Sequence, residues 1–216
     1  MSVTAPASAQ HPWHLSSPPS VREVVTERVR RAILEQEIRP GSRVRQVQLA
    51  DALGVSRMPV RDAIQELLVE GLLEALPHGG VRVPPFDITD VLDALALRGP
   101  LEAEALRAVV ARGLTEMELE RLERADTGLA MHRALADLSD NRFLVAALSP
   151  VWTQVERAAH ALPASAVCLP GCPDHARLVA AIRAGDHAEG ARTLEGHLAA
   201  VRDEVAGRGS SGRAAS

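Results

Sequence analysis

Three histidines of the C-terminal half each sit among apolar residues at helical spacing. His132 lies with Leu129, Leu135 and Ala136, His175 with Leu178, Val179 and Ile182, and His197 with Leu194, Leu198 and Val201. A helical face that carries leucines is a core face, so all three imidazoles are predicted to point into one interior. A single inward histidine is ordinarily a hydrogen-bonded core residue. Three arriving from three helices form a candidate site for a divalent cation of the zinc or nickel type, with positions left over for water or a carboxylate.

A second group, Ser56, Arg57, Met58, Pro59 and Arg61, has the composition of a DNA-reading turn. Ser56 starts a helix whose first turn holds Pro59, where a missing N–H is tolerated. Val60, Ile64, Leu67 and Leu68 recur at i, i+4, i+7 and i+8 and are predicted to be buried, which turns Arg57, Met58, Arg61 and Gln65 outward. An outward arginine can fork onto guanine O6 and N7 in the major groove. The helix N-terminus offers backbone N–H groups to a phosphate, which the Ser56 hydroxyl can supplement.

The elements that must hold these residues follow from the same periodicities. A first helix over about 20 to 36, capped by Ser20, ends before Pro40-Gly41, and a short one over 46 to 53 is closed by Gly54. The Ser56 helix runs on to Gly71. Extended runs at 72 to 76 and 81 to 83, joined by Pro77-His78-Gly79-Gly80, read as a hairpin wing. Residues 20 to 84 are therefore predicted to be a winged helix-turn-helix. After Pro84-Pro85 every segment from Asp87 has helical period, with breaks expected near 99 to 100, 113, 128, 149 to 150 and 163 to 173. Residues 88 to 205 are predicted to be an all-α bundle of five or six helices, and 1 to 19 and 206 to 216 to be disordered tails. The fold class is mainly α.

Composition narrows the partner. Residues 20 to 85 hold ten Arg against nine acidic residues in a chain of net charge -4, so the positive balance lies in the N-terminal part. No Lys and no Tyr occur, and 2% aromatic content gives no stacking platform for single strands, which leaves duplex DNA as the nucleic acid of choice. Cys168 and Cys172 are too few for a disulfide framework, and the spacing of Cys168, Cys172 and His175 is not a usual zinc motif. Without a membrane-length apolar run or a secretory leader, a cytoplasmic location is expected.

Residues 21 to 83 resemble the GntR family of bacterial winged-helix regulators. The stretches that carry the likeness are Arg-Arg-Ala-Ile-Leu (30 to 34), Arg-Pro-Gly-Ser-Arg-Val (39 to 44), Leu-Ala-Asp-Ala-Leu-Gly-Val-Ser-Arg-Met-Pro-Val-Arg-Asp-Ala-Ile (49 to 64) and Leu-Leu-Val-Glu-Gly-Leu-Leu (67 to 73). The resemblance implies DNA contacts by Ser56, Arg57, Met58, Pro59 and Arg61, by Arg45, and by His78 and Gly79 at the wing tip. It also implies homodimers on pseudo-palindromic operators, in keeping with one short helix reading only a few base pairs. His78 stands where many relatives carry arginine, so that contact is expected to depend on pH.

Residues 88 to 205 resemble the FCD effector domain of such regulators. The likeness rests on Leu-Arg-Gly-Pro-Leu-Glu-Ala-Glu-Ala-Leu (97 to 106), Met-His-Arg-Ala-Leu-Ala-Asp-Leu-Ser-Asp-Asn (131 to 141), and the stretch from His175 to Asp186 followed by His197-Leu198. It implies a metal held by His132, His175 and His197, and an organic-acid effector bridging that metal and Arg98. The family's aspartate, four residues before the first histidine, is Gly128 here, and the segment from 113 to 131 is short. Asp126 is then the candidate substitute, or the site holds no metal. Two other readings remain open at this stage: a dimerising domain that senses nothing, and a histidine-based metallohydrolase, for which no carboxylate stands out as general base.

Overall fold

The computed structural model describes residues 18 to 125, 128 to 161 and 172 to 213. Among them, α1 (Val21–Leu34), α2 (Gln46–Leu53) and α3 (Arg57–Val69) alternate with three two-residue strands, β1 (Arg43–Val44), β2 (Glu74–Ala75) and β3 (Val81–Arg82). Ser20 caps α1 through a capping box with Glu23, and Gly54, in the left-handed region at φ 67°, closes α2. These are the signals that set the first helices in the sequence. One core, built around Val29, Val60, Ala63, Leu67, Leu72 and Val83, joins helices to sheet. The Arg30 guanidinium clasps Glu70 across α1 and α3. Leu68 proves half-buried rather than buried, and Ala63 takes the core place beside Ile64.

The sheet has the order β1-β3-β2, both pairs antiparallel, with Arg43 opposite Arg82 and Glu74 opposite Arg82. The wing hairpin is therefore present, and β1 is an addition. A two-residue strand is too short to show alternation, and its partner lies far along the chain. The region is a winged helix-turn-helix.

Six helices follow among the described residues: α4 (Ile88–Arg112), α5 (Glu116–Arg124), α6 (Ala130–Leu138), α7 (Arg142–Ala161), α8 (Pro173–Ala184) and α9 (His187–Arg213). Two expected breaks are absent, because Gly99-Pro100 lies inside α4 and Ser149-Pro150 inside α7. Proline in a helix interior forfeits a hydrogen bond, at a cost of about 3 kcal/mol. Here buried residues flank each proline, with Leu95 and Leu106 around Pro100 and Leu148 and Trp152 around Pro150. Burial at about 1.5–3 kcal/mol for each large apolar side chain outweighs the local preference. Residues 206 to 213, expected as part of a tail, continue α9 as helix, since extending a formed helix needs no new nucleus. The expected tail over residues 1 to 19 falls almost wholly outside the described residues.

The two halves meet along α7. Arg157 donates to the carbonyls of Pro84 and Pro85 at 2.8 and 3.2 Å, which ties α7 to the segment joining wing and bundle. No helix among the described residues is long and apolar enough to cross a membrane.

Candidate functional site

Two constellations stand at opposite ends of the molecule's logic, one facing out and one facing in. At the outward one, Ser56, Arg57, Met58 and Arg61 are exposed at the start of α3, and Pro59 is half-buried beneath them. Ser56 has the N-cap backbone conformation, but its hydroxyl makes no capping hydrogen bond and is available to a phosphate. Gln46 donates to the Arg57 carbonyl at 2.8 Å, so α2 fixes the entry of α3. Arg45 is exposed at the start of α2, and His78 and Gly79 are exposed at the hairpin tip. Gly79 and Gly80 take φ of 86° and 87°, a left-handed pair that glycine adopts freely.

Several arginines elsewhere in this half are used up in ion pairs: Arg22 with Glu66, Arg28 with Glu37, Arg30 with Glu70 and Arg82 with Glu74. Among the described residues no carboxylate pairs with Arg45, Arg57 or Arg61. Their guanidiniums are left free at the presented turns.

At the inward constellation, His132 on α6, His175 on α8 and His197 on α9 converge as expected. Their ring centroids lie 5.0 to 5.2 Å apart, and the three are 0%, 3% and 6% exposed. One nitrogen from each lies within 4.8 Å of the others. His132 Nε2 and His175 Nε2 are 3.2 Å apart, which suits a shared cation, since nitrogens about 2.1 Å from one ion at roughly tetrahedral angles are about 3.4 Å apart. His197 Nε2 is buried without a partner among the described residues, a lone pair or proton in search of one.

Sequence reasoning missed the residue that organises this centre. Glu102 on α4 is fully buried and accepts from His132 Nδ1 at 2.7 Å, from Arg98 Nε at 2.6 Å and from Trp152 Nε1 at 3.0 Å. Burial favours the neutral acid, but the His132 and Arg98 interactions outweigh it and hold the carboxyl well below the usual carboxylate range. An ionised Glu102 only accepts, so His132 carries its proton on Nδ1 and turns the Nε2 lone pair toward His175. Such carboxylate–histidine pairs orient metal-binding imidazoles. The Arg98–Glu102 spacing of four was the available signal, placed as it is on one helix face.

Arg98 is itself 0% exposed, and among the described residues both terminal nitrogens lack a hydrogen-bond partner. A buried guanidinium with unsatisfied donors calls for an anion. Asp126, the candidate substitute for the aspartate replaced by Gly128, lies outside the described residues, as does Cys168. A cleft between α5 and α8, of about 280 Å³ and lined by Leu122, Glu123 and Val179, reaches His175.

Burial pushes both His132 and His197 down to about 4, with Arg98 and the neighbouring imidazoles adding to the shift. The unfolded chain takes up protons below about 6.5, whereas the folded one resists until about 4. The stabilising effect of these neutral histidines is therefore complete above pH 6.5 and is lost as the pH falls toward 4, by at most about 3 kcal/mol each. After removal of metal with a chelator, the melting temperature is expected to be about 10 °C lower at pH 5 than at pH 7. A flat profile across that window would contradict the buried, neutral state of the pair.

Comparison with known proteins identifies the two regions that carry these constellations. Residues 21 to 83 match the bacterial regulatory proteins of the gntR family, and residues 93 to 200 match the FCD domain. The chain is 31% identical over 176 residues to a protein of Paenarthrobacter nicotinovorans named as a probable D-xylose utilization operon transcriptional repressor, covering 74% of this chain and 77% of that one. It is 32% identical over 133 residues to the HTH-type transcriptional regulator YdhC of Bacillus subtilis (strain 168), covering 54% and 59% respectively. The solved structure of McbR/YncC from E. coli superimposes with a TM-score of 0.70 at 20% identity, over 88% of this chain and 99% of that one, and so shares the fold. Both matching families are those of regulators, which sets the metallohydrolase reading aside. The chain belongs to the GntR family of DNA-binding transcriptional regulators, in the branch whose second domain is of FCD type.

Proposed function

We propose that the protein is a cytoplasmic repressor that binds a pseudo-palindromic operator as a homodimer and releases it when a small carboxylate enters the helical domain. In this reading residues 20 to 84 read DNA and residues 88 to 205 sense and dimerise. Arg57 and Arg61 contact base edges with Met58 and Pro59 packed beside them. Ser56, Arg45, His78 and Gly79 hold the backbone. His132, His175 and His197 bind a divalent cation of the zinc or nickel type, and Arg98 takes one end of the effector.

The observation that carries the sensing part is the fully buried Arg98 guanidinium, both terminal nitrogens unpartnered among the described residues, beside three converging imidazoles. A dication held by neutral histidines adds positive charge to the same interior, so an anionic ligand relieves both. A repressor sign agrees with the name of the Paenarthrobacter relative. Transmission has a short route through one helix: α7 carries Trp152, hydrogen-bonded to Glu102, and just over one turn further Arg157, hydrogen-bonded to Pro84 and Pro85. A shift of Glu102 on effector binding would move the joint between the halves and so the spacing of two recognition helices.

The test is elemental analysis of tag-free protein combined with a thermal screen of small mono- and dicarboxylates. About one equivalent of metal is expected in Cys172→Ala, which lacks the thiol beside His197, and adding His175→Ala should remove it. One carboxylate class should raise the melting temperature and weaken operator binding, and Arg98→Met should abolish both responses. Metal-free protein insensitive to every carboxylate would instead assign the second domain to dimerisation alone.

A further inference from the structure

The start of α8 holds a donor set that the reading above leaves unused. Cys172 Sγ and Asp174 Oδ2 each lie 3.7 Å from His197 Nδ1. One donor atom from each of the three residues falls within 4.8 Å of the others. Cys172 occupies the N-cap position but makes no capping hydrogen bond, and Pro173 follows at the first helical position. A cap side chain normally turns back onto its own helix. This one faces α9 instead. His197 is 6% exposed, while the thiol and the carboxylate are half-buried, so the group is reachable from solvent with one deeply held ligand.

We infer that Cys172, Asp174 and His197 Nδ1 form a second cation site, sharing His197 with the three-histidine cluster and taking a thiophilic divalent ion of the zinc class. The separation fits. A sulfur about 2.3 Å and a nitrogen about 2.05 Å from one tetrahedral ion stand about 3.6 Å apart, against 3.7 Å here. Sulfur, nitrogen and oxygen donors together suit zinc over magnesium or calcium, and three protein ligands leave one position for water. Binding displaces the Sγ–H proton to solvent. A neutral imidazole has a lone pair on only one nitrogen, so His197 serves one of the two sites at a time. The site stands on its own distances and does not require the cluster to bind metal.

Cobalt(II) added to the reduced, tag-free full chain is the probe, because a thiolate ligand gives a near-ultraviolet charge-transfer band that imidazole and carboxylate ligands do not. The band is expected in wild type, lost in Cys172→Ala and retained in His175→Ala. Cys172 is half-buried, so an unchanged metal-free melting temperature in Cys172→Ala shows that the fold is intact. Absence of the band in wild type overturns the site, as does its persistence in Cys172→Ala or its loss in His175→Ala. Visible d–d absorption without the thiolate band places cobalt in the histidine cluster alone, which overturns this site and leaves the other reading standing.

Discussion

Arg57→Ala and Arg61→Ala should each lower operator affinity by about 1–3 kcal/mol per half-site, so that a symmetric dimer loses about 2–6 kcal/mol, roughly 30-fold or more. Both guanidiniums are exposed at the first turn of α3 and free of carboxylates, so their donors are available to guanine. Their removal leaves the core of Val60, Ala63 and Leu67 untouched, and folding stability should change by less than about 0.5 kcal/mol. Charge alone is separated from base reading by Arg61→Lys, which keeps the cation but not the fork. If Arg61 reads a base, lysine fails to restore the specific term. If it holds a phosphate, lysine restores most of it. Anisotropy titrations at fixed salt, against an operator selected from random duplexes and a scrambled control, give the two numbers needed. Wild-type affinity in both alanine variants would remove α3 from the interface.

The outward site was legible in the sequence because its signals are local. A cap at Ser20, a left-handed glycine at Gly54 and a period of 3.6 through Val60, Ile64 and Leu67 place α1 to α3 within a residue or two. The three inward histidines were legible for the same reason, each carrying leucines on its own helix. What escaped depends on contacts between distant segments. β1 exists only because β3 returns to it 38 positions later, Val44 opposite Val81 near Arg43 opposite Arg82. The Gly99-Pro100 and Ser149-Pro150 pairs carry strong local signals for a break, and packing across α4, α7 and α9 overrides them. In one dimension Arg98 and Glu102 look like an ordinary surface pair at i, i+4. Only the arrival of Trp152 from α7 and His132 from α6 makes that pair a buried hub. Likewise nothing in the chain order links Cys172 to His197, 25 positions away.

The hub also sets the largest expected loss of stability. Glu102→Gln keeps the shape of the side chain but removes the carboxylate paired with the buried Arg98. Breaking a buried pair by neutralising one partner costs about 3–5 kcal/mol, which for a chain of this size lowers the melting temperature by about 6–20 °C. The new amide has one oxygen for the three donors of Arg98, Trp152 and His132, and its NH2 group meets whichever of them it displaces. His132 then loses the partner that fixes its proton on Nδ1, so metal affinity should fall about 10–100-fold. Adding Arg98→Met in the same chain removes the orphaned cation and should restore most of the stability, because a buried ion pair contributes little net compared with apolar side chains of like size. The double variant should nevertheless stay blind to carboxylates, since stability and recognition use the same guanidinium for different purposes. Glu102→Gln as stable as wild type would mean that the carboxyl is already protonated in the fold, and Arg98 would then need its counter-charge from a bound anion at all times rather than from Glu102.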